Sequence, residues 1–220
     1  MFHDLLPKLR CLRALSLSCY EINELPDSIG DLKHLRYLNL SHTVLKWLPE
    51  AMSGLYNLQS LILRNCRKLN KLPMGIANLI NLRHLDMSST MMLEEMPYQV
   101  DNLINLQTLS KFFLSKGNGS QIKELKNLLN LRGELAISGL DDVVDPRDVA
   151  YINLKERPNV EDLVMVWSDN FGNKRNESKE IEVLNCLQPH QSLKTLIIIF
   201  PGWMGDPSYS KVVHLQLNTL

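Results

Sequence analysis

The sequence carries no net charge: 24 lysines and arginines stand against 24 aspartates and glutamates in 220 residues. That balance argues against a general nucleic-acid binder, which needs a basic excess, and leaves only a local basic stripe available. Long apolar runs are missing too, and nothing approaches the ~20 consecutive apolar residues of a membrane-spanning helix. The opening MFHDLLPKLRCL lacks the charged start, apolar run and small-residue cleavage site of a secretory leader. Only four cysteines occur, Cys11, Cys19, Cys66 and Cys186, without paired metal spacing. The six histidines, at positions 3, 34, 42, 84, 190 and 214, offer no close pair with a third ligand. No G-x-S-x-G or Cys–His arrangement is present, and Phe2-His3-Asp4 reads as the polar edge of a segment entering a strand. We therefore expect no enzyme, no metal and no cofactor.

What the sequence does contain is leucine at fixed intervals. The pattern L-x-x-L-x-L occurs at Leu12, Leu15, Leu17; at Leu35, Leu38, Leu40; at Leu58, Leu61, Leu63; at Leu82, Leu85, Met87; and it starts again at Leu106 and Leu109. The starts lie 23, 23, 24 and 24 residues apart, the period of a leucine-rich repeat. A second marker keeps phase with the first: Leu25-Pro26, Leu48-Pro49, Leu72-Pro73 and Met96-Pro97. Alternation within L-x-L is that of a strand with one buried face, so strands are expected at residues 14–17, 37–40, 60–63 and 84–87. Three residues beyond each strand stand Tyr20, Thr43, Cys66 and Thr90. A small polar side chain there can turn inward to meet backbone groups, and Tyr20 fits least well. Each proline holds the residue before it out of the helical region, so the return segment begins extended. Strands then stack in parallel, and one copy buries too little alone, so stability comes from neighbour on neighbour.

The fold expected is an α/β leucine-rich-repeat solenoid of about eight to nine repeats. It is a curved horseshoe with a parallel β-sheet on the concave face and short helices and irregular turns on the convex face. The regular repeats should cover 1–114, and longer, irregular repeats of the same solenoid 115–220. In the second part KGNGSQ reads as a loop and Ile122, Leu125, Leu128 and Leu129 as a helix-spaced piece. Leu135 to Ile137 resumes the strands, and Asp141 to Arg157 reads as a helical segment opened near Asp145-Pro146. Further strands are expected at Val160, Leu163, Met165; at Leu193, Leu196, Ile198; and at Val212, Leu215, Leu217. The polar run SDNFGNKRNESKE should be a loop, Ile181 to Leu187 a short helix, and Trp203 a cover over the last repeats. Neither end shows a polar cap, so the chain reads as internal to a longer protein, with an uncapped C-terminal end. Sequons begin at Asn39, Asn118 and Asn176. Because Asn39 falls mid-strand, where a glycan would obstruct the sheet, a reducing, cytoplasmic location is expected.

The phrases LPDSIGDLKHLRYLNLSHTVLKWLP, NLQSLILRNCRKLNKLP and GIANLINLRHLDMSST, with the later ELKNLLNLRGELAISGLDDVVDPRDVAYINLKERPNVEDLVMVWSD and LQPHQSLKTLIII, resemble one family in particular. They are similar to the repeat region of plant intracellular nucleotide-binding leucine-rich-repeat disease resistance proteins of the coiled-coil class. The resemblance covers nearly the whole chain. It implies an immune receptor whose upstream nucleotide switch the repeats help hold inactive. No G-x-x-x-x-G-K-[ST] phosphate loop occurs here, so nucleotide binding does not transfer to this chain, which reads as a fragment or truncated member.

Alternation assigns the candidate contact residues. The concave face should carry Tyr37, Asn39, Ile62, Arg64, His84, Asp86 and, after Thr108 and Ser110, Phe112. Tyr37, Arg64 and Phe112 are the anchors, since aromatic and arginine side chains dominate interface energies, with His84 and Asp86 giving specificity. His84 and Asp86 could also form an acid–base pair, but an open sheet lacks the enclosure that tunes such pairs. Arg13, Arg36 and Arg83 each follow the first strand leucine and form a basic edge. That edge either docks an acidic partner or pairs locally with acids of adjacent repeats. The partner expected is a protein: a pathogen effector, a guarded host protein or the receptor's own nucleotide-binding domain. The alternative is a signalling scaffold with no receptor role.

Overall fold

The computed structural model describes residues 5–114, 121–167, 177–200 and 211–216. Five short strands make the first sheet: β1 (Ala14–Ser16), β2 (Tyr37–Asn39), β3 (Ser60–Ile62), β4 (His84–Asp86) and β5 (Thr108–Leu109). All are parallel and in strict register, with Leu15, Leu38, Leu61, Leu85 and Leu109 as one row of partners. Leu38, Leu61 and Leu85 are fully buried, as an alternating strand with a single core face requires. Beneath them the chain returns through 3-10 turns at Asp27–Asp31, Glu50–Gly54 and Met74–Asn78. Each turn is entered from Pro26, Pro49 or Pro73, which are extended at φ −70°, −67° and −65°. Successive turns lie so close that a Cβ on Gly30 would sit 2.2 Å from the Ala51 carbonyl oxygen. Only glycine fits there.

The turn after each strand follows one rule. Cys19, His42, Asn65 and Ser89 are left-handed, at φ 64°, 59°, 58° and 59°, which swings the next side chain back toward the core. Thr43 Oγ1 then donates to the Leu40 carbonyl at 2.8 Å and Thr90 Oγ1 to that of Met87 at 2.7 Å. Cys66 Sγ reaches the Leu40 carbonyl at 3.0 Å, and burial pushes its thiol pKa up. Tyr20, the poor fit, is 59% exposed.

A second sheet holds β6 (Phe112–Phe113), β7 (Gly133–Ser138), β8 (Val160–Val166), β9 (Thr195–Phe200) and β10 (Lys211–Gln216). β6 to β9 are parallel. β10 pairs with β9 antiparallel, Lys211 opposite Phe200 and Gln216 opposite Thr195, which corrects the expectation of a further parallel repeat strand there. Between the sheets the ladder bends. In the regular repeats Leu17, Leu40 and Leu63 donate their amides to a carbonyl of the next repeat. At the bend the Met87 amide instead donates to the Ser110 hydroxyl at 2.7 Å. Two residues, Ser110 and Lys111, then separate core-facing Leu109 from Phe112, whose partner is buried Ile137. An extra residue reverses the faces of everything beyond it.

The convex side of the second half is built from 3-10 turns at Ile122–Asn127, Leu140–Asp142, Pro146–Ile152 and Leu154–Glu156. Asp145 caps the third, accepting from the Arg147 amide at 3.0 Å. The helix runs over Glu177–Cys186, so it begins four residues before Ile181 and takes in the end of the polar run. Sequence expectations for Phe2-His3-Asp4, for residues 116–120 of the KGNGSQ loop, for residues 168–176 of the polar run, for Trp203 and for the C-terminal end lie outside the described residues.

Candidate functional site

Parallel register turns each strand position into a row along the solenoid. One solvent-facing row is Ala14, Tyr37, Ser60, His84, Thr108; the next is Ser16, Asn39, Ile62, Asp86. Tyr37 is 38% exposed, and Asn39, Ile62, His84 and Asp86 are half-buried. Asn39 Oδ1 accepts from the Ser41 amide at 2.9 Å, a local turn that supports the left-handed residue following it. Asp86 does the same for Ser88, accepting from its amide at 2.9 Å and its hydroxyl at 2.6 Å.

Charge is arranged across repeats. The guanidinium of Arg64, which is exposed, donates from Nε and Nη2 to Asp86 Oδ2, both at 3.0 Å. Partial burial would raise the Asp86 pKa, but the Ser88 donors and the Arg64 charge outweigh it and hold the carboxyl below its usual range. His84 Nδ1 lies 3.0 Å from Thr108 Oγ1. Burial first, then Arg132 and Arg83, lower its pKa, because each disfavours imidazolium. His84 and Asp86 thus have separate partners.

Phe112 is a correction. It is fully buried, because the extra residue at the bend puts it on the core face in place of Lys111. Lys111 instead lies with its ammonium 4.7 Å above the ring of Phe113.

Arg13, Arg36 and Arg83 are exposed and line one edge, where each carbonyl accepts two amides from the following repeat. Their side chains enter none of the ion pairs formed among the described residues, so local pairing with adjacent acids does not occupy them. The sequence reading missed Arg132, which extends the row and donates to Gln107 Oε1 at 2.6 Å. It also missed a ridge beside the arginines. Tyr56, Ile80, Ile104 and Leu129, at one position in four successive repeats, are 49, 54, 55 and 58% exposed. Below the ridge a ladder of asparagines ties repeat to repeat. Asn57, Asn81, Asn105 and Asn130 donate to the carbonyls of Lys33, Tyr56, Ile80 and Ile104 at 2.8 to 2.9 Å. The recurring L-x-N-L, as in Leu79-Ile80-Asn81-Leu82, was the available signal.

Among the described residues no group of three or more His, Cys, Asp or Glu could hold a metal, and no helix is long and apolar enough to cross a membrane.

Comparison with known proteins follows this geometry. A family model described as a leucine-rich repeat region matches residues 3–220. Disease resistance protein RGA2 of Solanum bulbocastanum is 49% identical over 219 residues, which are 97% of this chain and 22% of that protein. RPP13-like protein 1 of Arabidopsis thaliana is 44% identical over 227 residues, 97% of this chain and 21% of its own length. The chain therefore spans about a fifth of the curated relatives it matches. A solved leucine-rich repeat protein from Leptospira interrogans superposes with a TM-score of 0.56 at 22% identity, covering 88% of this chain and 44% of that one. At that identity the likeness shows the fold alone.

Proposed function

Because the chain belongs to the leucine-rich repeat region family and matches plant disease resistance proteins over nearly its whole length, we propose that it is the protein-recognition and regulatory module of a plant immune receptor. The module is non-enzymatic and works in the cytoplasm. It contacts a pathogen effector or a guarded host protein, or it holds the receptor's own nucleotide-binding domain inactive. Regular repeats over 1–114 and irregular repeats over 115–220 form one solenoid. The single observation behind this reading is the first sheet's open face, where Tyr37, Asn39, Ile62, His84 and Asp86 stand in register over buried leucines and Arg64 pairs with Asp86 across repeats. The exposed side chains among them, Tyr37 and Arg64, can change over an unchanged core, which is what a recognition surface needs. Arg13, Arg36 and Arg83 supply a second, edge contact suited to an acidic surface.

The test is a receptor chain that also holds a nucleotide-binding domain, carrying Arg64→Ala, His84→Ala and Asp86→Ala together. Arg64→Ala and His84→Ala should each cost under about 1 kcal/mol of stability, and Asp86→Ala about 1 to 3 kcal/mol, because the Ser88 amide and hydroxyl lose their acceptor. Partner binding should nevertheless weaken, or signalling begin without a trigger. If the triple mutant still folds and keeps partner binding, low basal signalling and a normal response, the concave face is not the working site.

A further inference from the structure

The second sheet presents a different chemistry on the same side. Its rows, read across β7, β8 and β9, are Glu134–Asp162–Thr195, Ala136–Val164–Ile197 and Ser138–Val166–Ile199. Phe113 joins the last row, opposite Ser138. Over β7 to β9 these two adjacent rows are apolar apart from one hydroxyl, and β10 continues them with His214 opposite Ile197 and Val212 opposite Ile199; Val164, Val166, Ile197 and Ile199 each keep part of their surface open to solvent. Over β7 and β8 the polar groups stand at the two ends of this band. At one end the Lys111 ammonium lies over Phe113 at 4.7 Å, half-buried and in none of the ion pairs among the described residues. Beside it Ser138, 9% exposed, has a buried hydroxyl with no hydrogen-bond partner. At the other end Glu134 and Asp162 are direct cross-strand neighbours, whereas Glu161 is already engaged by Lys194 at 2.7 Å.

From these observations we infer that this face binds an extended segment of a partner protein with a carboxylate, an apolar side chain two residues on, and a lysine or arginine two residues beyond that. The carboxylate meets Lys111, the apolar side chain seats on Val164, Val166, Ile197 and Ile199, and the cation faces Glu134 and Asp162. Spacing selects an extended chain. From Ser138 to Glu134 is four residues of strand, about 13 Å, and an extended segment places alternate side chains on one face at the same ~6.6 Å repeat as the rows below it. A helix, at ~5.4 Å per turn, falls out of step. An ammonium stripped of much of its water and left unpaired is the strongest single demand on the face, since a carboxylate restores what burial removed. The inference rests on the protein-recognition reading and specifies a partner chemistry for a face outside the first-sheet residues.

The experiment pans a phage-displayed library of random dodecapeptides on the full chain and measures binding of the enriched peptides, made synthetically, by fluorescence anisotropy. Enriched sequences should share the order acid, apolar, base at alternate positions. Lys111→Met should weaken them about tenfold to a hundredfold, the worth of one hydrogen bond to a charged group, and Lys111→Arg should retain binding. Glu134→Gln with Asp162→Asn should weaken them as well. Lys111→Met keeps the aliphatic stem, and its unchanged circular-dichroism melt certifies the fold. Peptides without that order, or indifferent to Lys111→Met, overturn the inference. If they are lost with Arg64→Ala instead, recognition belongs to the first sheet and the protein-recognition reading stands. If nothing is enriched on either sheet, both readings fall.

Discussion

Replacing Arg157 tests how the irregular half is held together. The residue is 1% exposed, and its guanidinium donates from Nε to the Ile152 carbonyl at 2.5 Å, from Nη1 to that of Leu128 and from Nη2 to that of Leu125. One side chain thereby ties the convex turns of two successive repeats. Burial lowers its pKa to about 10, so the group is still charged at neutral pH and all three bonds are charge-assisted. Arg157→Ala removes the donors and leaves a cavity, for a loss of about 3 to 5 kcal/mol. Arg157→Met fills much of the volume and still leaves acceptors short of donors, for about 2 kcal/mol. Buried ion pairs can often be exchanged for apolar groups without loss because both partners are replaced; backbone carbonyls cannot be replaced. In urea, with a slope of about 3 kcal/mol per molar, the midpoint should fall by about 1 to 1.7 M for alanine and about 0.7 M for methionine. The folded pKa lies below the unfolded one, so the cost of burying the charge is present at every pH below about 10 and is relieved only as pH rises from there toward the unfolded value. Between pH 6 and 9 the difference between parent and methionine variant should therefore stay constant. A methionine variant as stable as the parent would show that Arg157 serves only as volume.

Leu85→Ala, at a fully buried position, should cost about 2 to 5 kcal/mol, because the stacked neighbours cannot close the cavity; an unchanged melt would remove the strand from the core. Thr43→Val keeps the shape but takes the hydroxyl from the Leu40 carbonyl, for about 1 to 2 kcal/mol in the same urea assay. Gly139 has φ +82°, and a Cβ there would lie 2.8 Å from the Leu114 carbonyl oxygen, so Gly139→Ala should lower the midpoint by the equivalent of about 1 to 3 kcal/mol. His84 should titrate below 6.5 by NMR. Since its folded pKa is depressed, its contribution to stability is present above pH 6.5 and is lost as pH falls through the folded value. Arg132→Gln should raise the midpoint without restoring it fully, because burial is the larger cause.

The regular half was legible because its decisions are local. A strand side chain's face depends on parity along the chain, so Leu38, Leu61 and Leu85 identify the core, and Tyr37, Arg64, His84 and Asp86 the open face, with no partner known. The prolines before the 3-10 turns and the inward Thr43, Cys66 and Thr90 follow from the same counting. The recurrent L-x-N-L could have been read in the same way, because the apolar ridge and the asparagine ladder both repeat with the array.

Where a decision needed a partner from another repeat, counting failed. Phe112 has the parity of an open-face residue, yet the Ser110 hydroxyl takes a ladder position from the backbone, an extra residue enters, and the faces exchange. Val212 and Leu215 carry a repeat-like spacing, but strand direction is set by the end of β9 at which the chain re-enters, and with Lys211 opposite Phe200 it re-enters where β9 leaves and runs antiparallel. Arginine 157 looks like any surface arginine until three carbonyls from separate turns converge on it. The sequence by itself determined the period, the core and the open face of the regular repeats, because side-chain alternation is a property of one strand. The bend, the reversed last strand and the buried guanidinium were decided only by the tertiary structure, because each depends on backbone groups that folding alone brings within hydrogen-bonding distance.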